Sequence, residues 1–163
     1  MIEKSKSNVY GESSQTISFD LHDTILVFGL GGKLIKKRFF YIIFRFLSNF
    51  KLFIFIYTAF CKRNEQIIEL MKQSKEEGIK VIILTYTHKK CVKIIHYFLK
   101  KNNVVNYDEI IFRQNFWQKE GDYKIEEIIK NNISLHYDDN ERVCAQLNAQ
   151  GRACAAVTPW YND

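Results

Sequence analysis

Short β-rich runs alternate with amphipathic helical segments along most of this chain. Lys80–Thr85 (KVIILT) is almost continuously apolar, which is typical of a strand that is covered on both faces. The predicted strands are Thr16–Leu21, Lys80–Thr85, Glu109–Phe112, Ile133–Tyr137 and Ala153–Val157, and the predicted helices between them are Glu65–Glu77, Cys91–Lys101, Tyr123–Lys130 and Glu141–Gln150. This alternation predicts an α/β protein in three layers, α/β/α, with a parallel sheet of about five strands.

The chain of 163 residues has the length of one domain with its own core. Residues 1–15 are polar and aperiodic, and we expect a disordered tail there and a single domain over residues 16–163. Between Thr24 and Asn64 there is no acidic residue, but there are eight basic ones: Lys33, Lys36, Lys37, Arg38, Arg45, Lys51, Lys62 and Arg63. This stretch is also rich in Phe and Ile. We therefore expect residues 29–63 to form a small basic, aromatic helical cap inserted after the first strand.

The segment Phe39–Phe60 is long enough to cross a bilayer. Arg45 and Lys51 lie within it, and a basic residue at the centre of a membrane helix costs about 2.5–3.5 kcal/mol. Two short helices that break near Ser48 fit better, either packed as a cap or lying on an anionic membrane surface. Residues 1–15 lack a signal-peptide pattern, so we expect a cytoplasmic protein, with peripheral membrane contact as the alternative.

The four cysteines, Cys61, Cys91, Cys144 and Cys154, are widely spaced and include no C-x-x-C pair. In a cytoplasmic protein this spacing favours reduced thiols over disulfide partners.

Polar side chains follow three of the predicted strands. Asp20 and Asp23 follow the first, Thr85 and Thr87 end the second, and Asp138–Asn140 follow the fourth. Because the carboxyl ends of parallel strands open into one crevice, we expect these groups to meet in space. Converging carboxylates require a hard cation such as Mg²⁺, and the hydroxyls of Thr24, Thr85 and Thr87, together with Lys124, suit phosphate oxygens. The combination predicts phosphoryl transfer through an aspartyl intermediate.

Four motifs in order carry a resemblance to a known family. Phe19–Ile25 (FDLHDTI) resembles a D-x-D-x-T motif after a strand, Val81–Thr85 a strand that ends in Thr, Lys124 a lysine before the last motif, and Leu135–Asn140 (LHYDDN) a strand followed by acids. On these residues the chain resembles the haloacid dehalogenase (HAD) superfamily of phosphohydrolases, from Thr16 to Val157. The resemblance implies a Rossmann-like fold and a Mg²⁺-dependent phosphatase.

The same resemblance assigns roles to individual residues. It implies that Asp20 is the nucleophile and also a magnesium ligand. It implies that Thr85 binds the transferring phosphoryl group and that Lys124 steadies both Asp20 and the phosphate. Asp139 completes the metal site, with Asp138 as its neighbour or substitute. The implied substrate is a phosphorylated small molecule or nucleotide, and we expect no stable complex with nucleic acid.

His22 departs from the pattern of the family, which has an acid/base aspartate two residues after the nucleophile. Here histidine stands at that position, with an acid one residue later at Asp23. We include His22 among both the catalytic and the metal-site candidates. Three interpretations stay open: His22 performs the acid–base step, the phosphatase activity is weak, or the site binds without catalysis.

Two further residues are candidates for substrate binding. Ile110–Arg113 resembles a strand in the phosphatase domains of polynucleotide kinases, so Arg113 either touches substrate phosphate or sugar or is an exposed structural arginine. Tyr86, next to Thr85, is the second candidate. His136 lies inside a predicted strand, where a core or edge histidine with satisfied hydrogen bonds is expected. The alternative functions are a phosphatase of phospholipid head groups at a membrane surface and a non-catalytic HAD-like binding module.

Overall fold

The computed structural model describes residues 15–28 and 51–158. The strands in this part are β1 (Thr16–Phe19), β2 (Leu26–Phe28), β3 (Cys61–Arg63), β4 (Lys80–His88), β5 (Glu109–Arg113), β6 (Leu135–Asp138) and β7 (Ala153–Ala156). The helices are α1 (Lys51–Ala59), α2 (Glu65–Glu76), α3 (Val92–Lys101), α4 (Glu120–Lys130) and α5 (Glu141–Ala149). All five predicted strands and all four predicted helices are present, with shifts of up to a few residues at their ends.

Five strands form one sheet in the order β5–β4–β1–β6–β7. Each adjacent pair is parallel. The first strand in the sequence lies in the middle, so the chain winds outward from β1 in both directions. The predicted α/β class with a parallel sheet of about five strands is confirmed.

The two faces of the sheet are covered by different helices. Along β4, Val81 and Ile83 point into a core that includes side chains of α2 and α3. The alternate residues Ile82 and Leu84 point into a second core with side chains of α4 and α5. All four side chains are fully buried, as the nearly continuous apolar run KVIILT predicts. Helices therefore lie on both faces and make the three layers.

An antiparallel pair of short strands, β2 and β3, stands apart from the main sheet. It joins the turn after β1 to the chain that leaves α1. The predicted cap, residues 29–63, is described only from residue 51 onward, as α1 and β3; residues 29–50 lie outside the described part, and so do residues 1–14 of the predicted tail. Among the residues that are described, no helix has both the length and the apolar character needed to span a membrane.

The prediction of four reduced thiols is wrong for two of them. Cys144 on α5 and Cys154 on β7 form a disulfide, with their Cα atoms 5.0 Å apart. The chain reverses at Gly151, whose φ of 71° is a left-handed conformation that glycine adopts readily. The reversal lays β7 beside α5, so two cysteines ten residues apart in sequence become neighbours. Cys61 and Cys91 are free, as expected, and both are buried.

Candidate active site

Asp20 and Asp138 stand side by side at the carboxyl edge of the sheet. β1 and β6 are parallel neighbours with Phe19 opposite Tyr137, and an aspartate follows each of these two residues. The Asp20 amide donates a hydrogen bond to the Tyr137 carbonyl at 2.8 Å, and the rings of Phe19 and Tyr137 stack with centroids 4.7 Å apart. Strand register thus brings together two carboxylates that are distant in the chain.

Lys124 supplies a buried positive charge to these acids. Its Nζ lies 3.0 Å from Asp20 Oδ1 and 2.6 Å from Asp138 Oδ2. A third carboxylate, Glu120, has its Oε1 3.1 Å from the same nitrogen. Burial opposes the charge on Lys124, but Asp138, Asp20 and Glu120 outweigh it and hold the pKa of this lysine well above its usual range. Lys124 is therefore a permanent cation at neutral pH.

Glu120 is a site residue that the sequence reasoning missed. The predicted helix starts at Tyr123, whereas α4 starts at Glu120, one turn before Lys124. Acid and lysine at positions i and i+4 of a helix lie on the same face. That spacing identifies Glu120 only when the helix is taken to begin at residue 120, and the predicted start at Tyr123 leaves Glu120 outside it.

Three aspartates form a group that could hold a metal ion. Asp20, Asp138 and Asp139 each offer a carboxylate oxygen, and these oxygens lie within 4.8 Å of one another. Oxygens bound to one Mg²⁺ at about 2.1 Å are at most about 4.2 Å apart. The spacing of the three oxygens is therefore close to the spacing that one ion requires. The expected convergence of acids after β1 and β6 is present in the structure.

The two neighbouring aspartates differ in what else they contact. Asp138 Oδ1 accepts a hydrogen bond from the Asn140 amide at 2.9 Å, and its Oδ2 accepts one from His136 Nε2 at 3.0 Å as well as from Lys124. Asp139, in contrast, makes no hydrogen bond or ion pair with the other described residues through its carboxylate. Asp139 thus has the more available carboxylate oxygens of the two, and its role as a metal ligand stays a prediction.

His136 is a buried structural residue, as predicted. Its Nδ1 accepts a hydrogen bond from Ser18 Oγ at 2.8 Å, and its Nε2 donates to Asp138. Burial lowers the pKa of His136, which keeps the ring neutral and leaves it one donor and one acceptor. The histidine orients the Asp138 carboxylate toward Lys124.

The electrostatics of the site favour a bound cation. Burial raises the pKa of Asp20 to about 7; Lys124 opposes this shift, and Asp138 and Glu120 add to it. Burial and the charges of Asp20, Asp23 and Asp138 hold the pKa of Asp139 well above its usual range. One lysine therefore does not neutralise the local carboxylates. A divalent ion with oxygen ligands fits this donor set.

His22 lies between two threonine hydroxyls. Its Nε2 is 3.5 Å from Thr58 Oγ1 on α1, and its Nδ1 is 3.5 Å from Thr87 Oγ1 on β4. Burial, with a smaller contribution from the charge of Lys124, lowers the pKa of His22 to about 4, so the ring is neutral at physiological pH. Its nitrogens are not part of the three-aspartate group.

Asp23 anchors the turn after β1 to the neighbouring elements. Its Oδ1 accepts a hydrogen bond from the Phe28 amide at 3.2 Å, and its Oδ2 accepts one from the Tyr57 hydroxyl at 3.1 Å. The residue has a φ of 59°, a left-handed conformation that aspartate tolerates better than most side chains. These contacts give Asp23 a structural role in the turn.

The hydroxyls on β4 lie beside this turn. Thr85 is buried, and its Oγ1 donates to Thr87 Oγ1 at 3.1 Å. Thr87 in turn faces His22. Thr24 is fully buried, and its hydroxyl has no hydrogen-bond partner among residues 15–28 and 51–158.

Arg113 lies at the end of β5, which is separated from β1 by β4. It is buried, so the alternative of an exposed structural arginine is wrong. Its guanidinium carbon lies 3.9 Å from the centroid of the Tyr86 ring and 5.8 Å from that of Phe116. The two candidate substrate-binding residues, Tyr86 and Arg113, are thus in direct contact in a stacked cation–π arrangement.

No protein-family model and no curated protein sequence matches this chain. Among solved structures, it is similar to a protein of a Pnkp1/Rnl/Hen1 complex, with a TM-score of 0.63 and 20% identity, over 94% of this chain and 50% of the other. It is also similar to a HAD family enzyme from Bacteroides thetaiotaomicron solved with magnesium and inorganic phosphate, with a TM-score of 0.58 and 13% identity, over 90% and 96% of the two chains.

A third similar structure is the class C acid phosphatase from Bacillus anthracis, with a TM-score of 0.56 and 12% identity, over 93% of this chain and 69% of the other. The chain spans about half the length of the Pnkp1/Rnl/Hen1 protein that it matches. The strand order, the acids after β1 and β6 and these neighbours agree with one another: the described residues have the fold of the haloacid dehalogenase superfamily.

Proposed function

We propose that this protein is a Mg²⁺-dependent phosphatase that hydrolyses phosphomonoesters through an aspartyl phosphate on Asp20. The observation that carries the proposal is the grouping of Asp20, Asp138 and Asp139 within 4.8 Å, with Lys124 paired to the first two. A surplus of buried carboxylates beside a fixed ammonium suits a metal ion and an anionic substrate together.

In this proposal the chemistry starts from the Asp20 carboxylate. One of its oxygens bonds to phosphorus while the bond from phosphorus to the leaving oxygen breaks. Water then attacks the phosphorus, the bond to Asp20 breaks, and phosphate is released. Lys124, 3.0 Å from Asp20, keeps the nucleophile oriented and offsets negative charge on the phosphoryl group. Asp20, Asp139 and Asp138 would hold a magnesium ion, which would offset negative charge on the phosphoryl group.

Proton transfer to the leaving group is where this site departs from the usual pattern. His22 stands at the acid/base position and is neutral, so its N–H is a weak acid. General acid–base help is typically worth about 10²–10⁴-fold. The arrangement supports either slow hydrolysis of ordinary esters or good hydrolysis of substrates whose leaving groups need little protonation.

The direct test is hydrolysis of p-nitrophenyl phosphate with and without Mg²⁺. We expect turnover that requires the metal and is abolished by Asp20→Asn. Asp122→Asn, which removes an exposed carboxylate from α4, is the matched control and should leave turnover unchanged. If the wild type binds phosphate and Mg²⁺ but never turns over, the protein is a non-catalytic binding module, and the proposal of a phosphatase fails.

A second variant decides the role of His22. We expect His22→Asp to restore the usual acid/base carboxylate and to raise turnover of a phosphomonoester with a poor leaving group. A fall in turnover would instead show that histidine itself is the working acid–base residue. Both measurements use the same Mg²⁺-dependent assay.

We further propose that the substrate is a phosphorylated small molecule or a nucleotide, a polynucleotide end included. Two observations support this: the stacked pair of Arg113 and Tyr86, and the similarity to a protein of a Pnkp1/Rnl/Hen1 RNA repair complex. Residues 29–63 act as the cap that selects the substrate, with their basic residues attracting it. A comparison of 3′- and 5′-phosphorylated nucleotides with a sugar phosphate tests whether the nucleotide is preferred within this class; equal rates on all three would contradict that preference.

A second candidate function is hydrolysis of a phospholipid head group at a membrane surface. One observation favours it: α1 exposes the large apolar side chains Leu52, Phe55 and Ile56, and Phe60 follows at its end. The sequence around them carries basic residues and no acids between Thr24 and Asn64. An apolar helix face with basic flanks suits an anionic interface.

A further inference from the structure

The imidazole of His22 has a hydroxyl group on each side. Thr58 Oγ1 lies 3.5 Å from Nε2 and Thr87 Oγ1 lies 3.5 Å from Nδ1. Both distances are longer than the roughly 2.7–3.2 Å of most hydrogen bonds between nitrogen and oxygen, so the contacts are loose, as is common for catalytic groups before substrate binds. The two hydroxyls come from different elements, α1 and β4, so the ring bridges them.

The direction of the bond at Nε2 follows from the other partner of Thr58. The Thr58 hydroxyl donates its hydrogen to the Ile54 carbonyl at 2.7 Å, and the residue is fully buried. A hydroxyl has a single hydrogen, so this oxygen can only accept from His22. The hydrogen between them must therefore belong to Nε2.

The direction of the bond at Nδ1 follows from the hydroxyl chain on β4. Thr85 donates to Thr87 Oγ1 at 3.1 Å, which leaves the hydrogen of Thr87 free to point at Nδ1. Nδ1 then acts as an acceptor and carries no hydrogen. One chain of donors runs from Thr85 through Thr87 and His22 to Thr58 and ends at the Ile54 carbonyl.

We propose that Thr58 is a positioning residue that holds His22 in the tautomer with hydrogen on Nε2. Tyr57, its neighbour on α1, is bonded to Asp23, the neighbour of His22, at 3.1 Å. Two consecutive residues of α1, Tyr57 and Thr58, therefore contact two consecutive residues of the turn, Asp23 and His22. Whether this orientation of His22 serves catalysis rests on the proposed function, because His22 acts as the acid/base residue only if the protein is a phosphatase. The tautomer itself does not depend on it.

The experiment is long-range ¹H–¹⁵N NMR of the full chain labelled at histidine, which distinguishes the two neutral tautomers of an imidazole. The His22 signals are assigned by their loss in His22→Gln. In the wild type we expect the pattern of hydrogen on Nε2. In Thr58→Val we expect a mixture of the two neutral His22 tautomers, because the hydroxyl that accepts from Nε2 is gone. In Thr58→Ser, which keeps a hydroxyl, we expect the tautomer with hydrogen on Nε2 again.

Ser74→Ala is the matched control. Ser74 is a buried helical hydroxyl that donates to the carbonyl four residues earlier, Leu70, at 2.8 Å, as Thr58 does to Ile54, but it lies on α2 and makes no hydrogen bond to a histidine among the described residues. It should leave the His22 spectrum unchanged. A wild-type spectrum with hydrogen on Nδ1, or on both nitrogens, overturns the proposal, and so does an unchanged tautomer in Thr58→Val.

If Thr58→Val does not fold, the wild-type spectrum and the spectrum of Thr58→Ser decide. A wild-type protein that shows the expected His22 tautomer but has no phosphatase activity contradicts the proposed function. The same result supports the positioning role of Thr58, because the tautomer is present. The two proposals therefore fail independently.

Discussion

At the scale of single residues, Lys124 contacts more of the site than any other group described above. Its one ammonium contacts the carboxylates of Asp20, Asp138 and Glu120 and is fully buried. A buried ion pair contributes little compared with apolar packing, but removing one partner leaves the other charges buried without compensation. The stability of the site and its chemistry are therefore coupled through this residue.

We expect Lys124→Met to lower the free energy of unfolding of the metal-free protein by about 3 kcal/mol, the low end of the cost of breaking a buried pair, because Asp20 can take up a proton. The measurement is urea denaturation in a chelator at neutral pH. Lys130→Met on the same helix removes an exposed lysine paired to Glu127 at 3.4 Å and should cost less than about 1 kcal/mol. Equal effects of the two variants would contradict the buried network.

Magnesium binding should depend on pH because the site must lose protons to accept the ion. The pKa of Asp20 is raised to about 7 by burial, so in the metal-free protein this acid is protonated below neutrality. Competition with this proton alone should weaken Mg²⁺ binding about tenfold between pH 8 and pH 6, and the raised pKa of Asp139 can only add to that loss. Calorimetric titration at the two pH values tests this, with Asp139→Asn expected to lose binding and Asp122→Asn expected to keep it. An affinity independent of pH would contradict the shifted carboxylate.

The sequence predicted the residues of the site better than their contacts. Asp20 and Asp139 follow strand patterns, so topology alone places them at one edge of the sheet. Glu120 was missed because a helix start is harder to locate than a helix. The surroundings of His22 could not be predicted, since Thr58 and Thr87 lie 36 and 65 residues away and reach it only through packing.

At the scale of elements, α1 is fixed by specific contacts to the turn that carries His22. The Tyr57 ring stacks on Phe28 of β2 with centroids 4.9 Å apart, and its hydroxyl donates to Asp23. The helix therefore holds both β2 and the turn that carries His22. Long strand patterns such as KVIILT were predicted correctly. β2 and β3 were not, because three-residue strands carry too little periodicity to recognise.

We expect Tyr57→Phe to lower the free energy of unfolding by about 1–2 kcal/mol, since it removes a hydrogen bond to a carboxylate and keeps the ring. Local hydrogen exchange should rise at the Phe28 amide, which donates to the same carboxylate. Tyr97→Phe on α3 is the control, because its ring is exposed. Similar stability losses in both variants would show that the Tyr57 hydroxyl does not anchor α1.

At the scale of the whole molecule, charge and apolar surface are unevenly distributed. The formal net charge is +6, yet the candidate active site is rich in acids, and the sequence from Thr24 to Asn64 contains only basic charges. The same stretch includes α1, whose exposed side chains Leu52, Phe55 and Ile56 are apolar. Composition showed the charge asymmetry, but the apolar face of α1 became evident only once Ile54, Tyr57 and Thr58 were seen to be buried.

This distribution predicts that the protein binds anionic vesicles through α1. Wild type should sediment with vesicles of phosphatidylcholine and phosphatidylserine but not with phosphatidylcholine alone, and about 0.5 M salt, with a Debye length of about 4 Å, should release it. Ile56→Gln should reduce binding about tenfold or more, because burying an aliphatic side chain is worth about 1.5–3 kcal/mol. Ile129→Gln is the matched control: Ile56 is 48% exposed on α1 and Ile129 is 51% exposed on α4. Equal binding to neutral vesicles would contradict the electrostatic attraction. Equal losses in the two variants would exclude α1 as the membrane contact and leave a phosphorylated small molecule or nucleotide as the substrate to test.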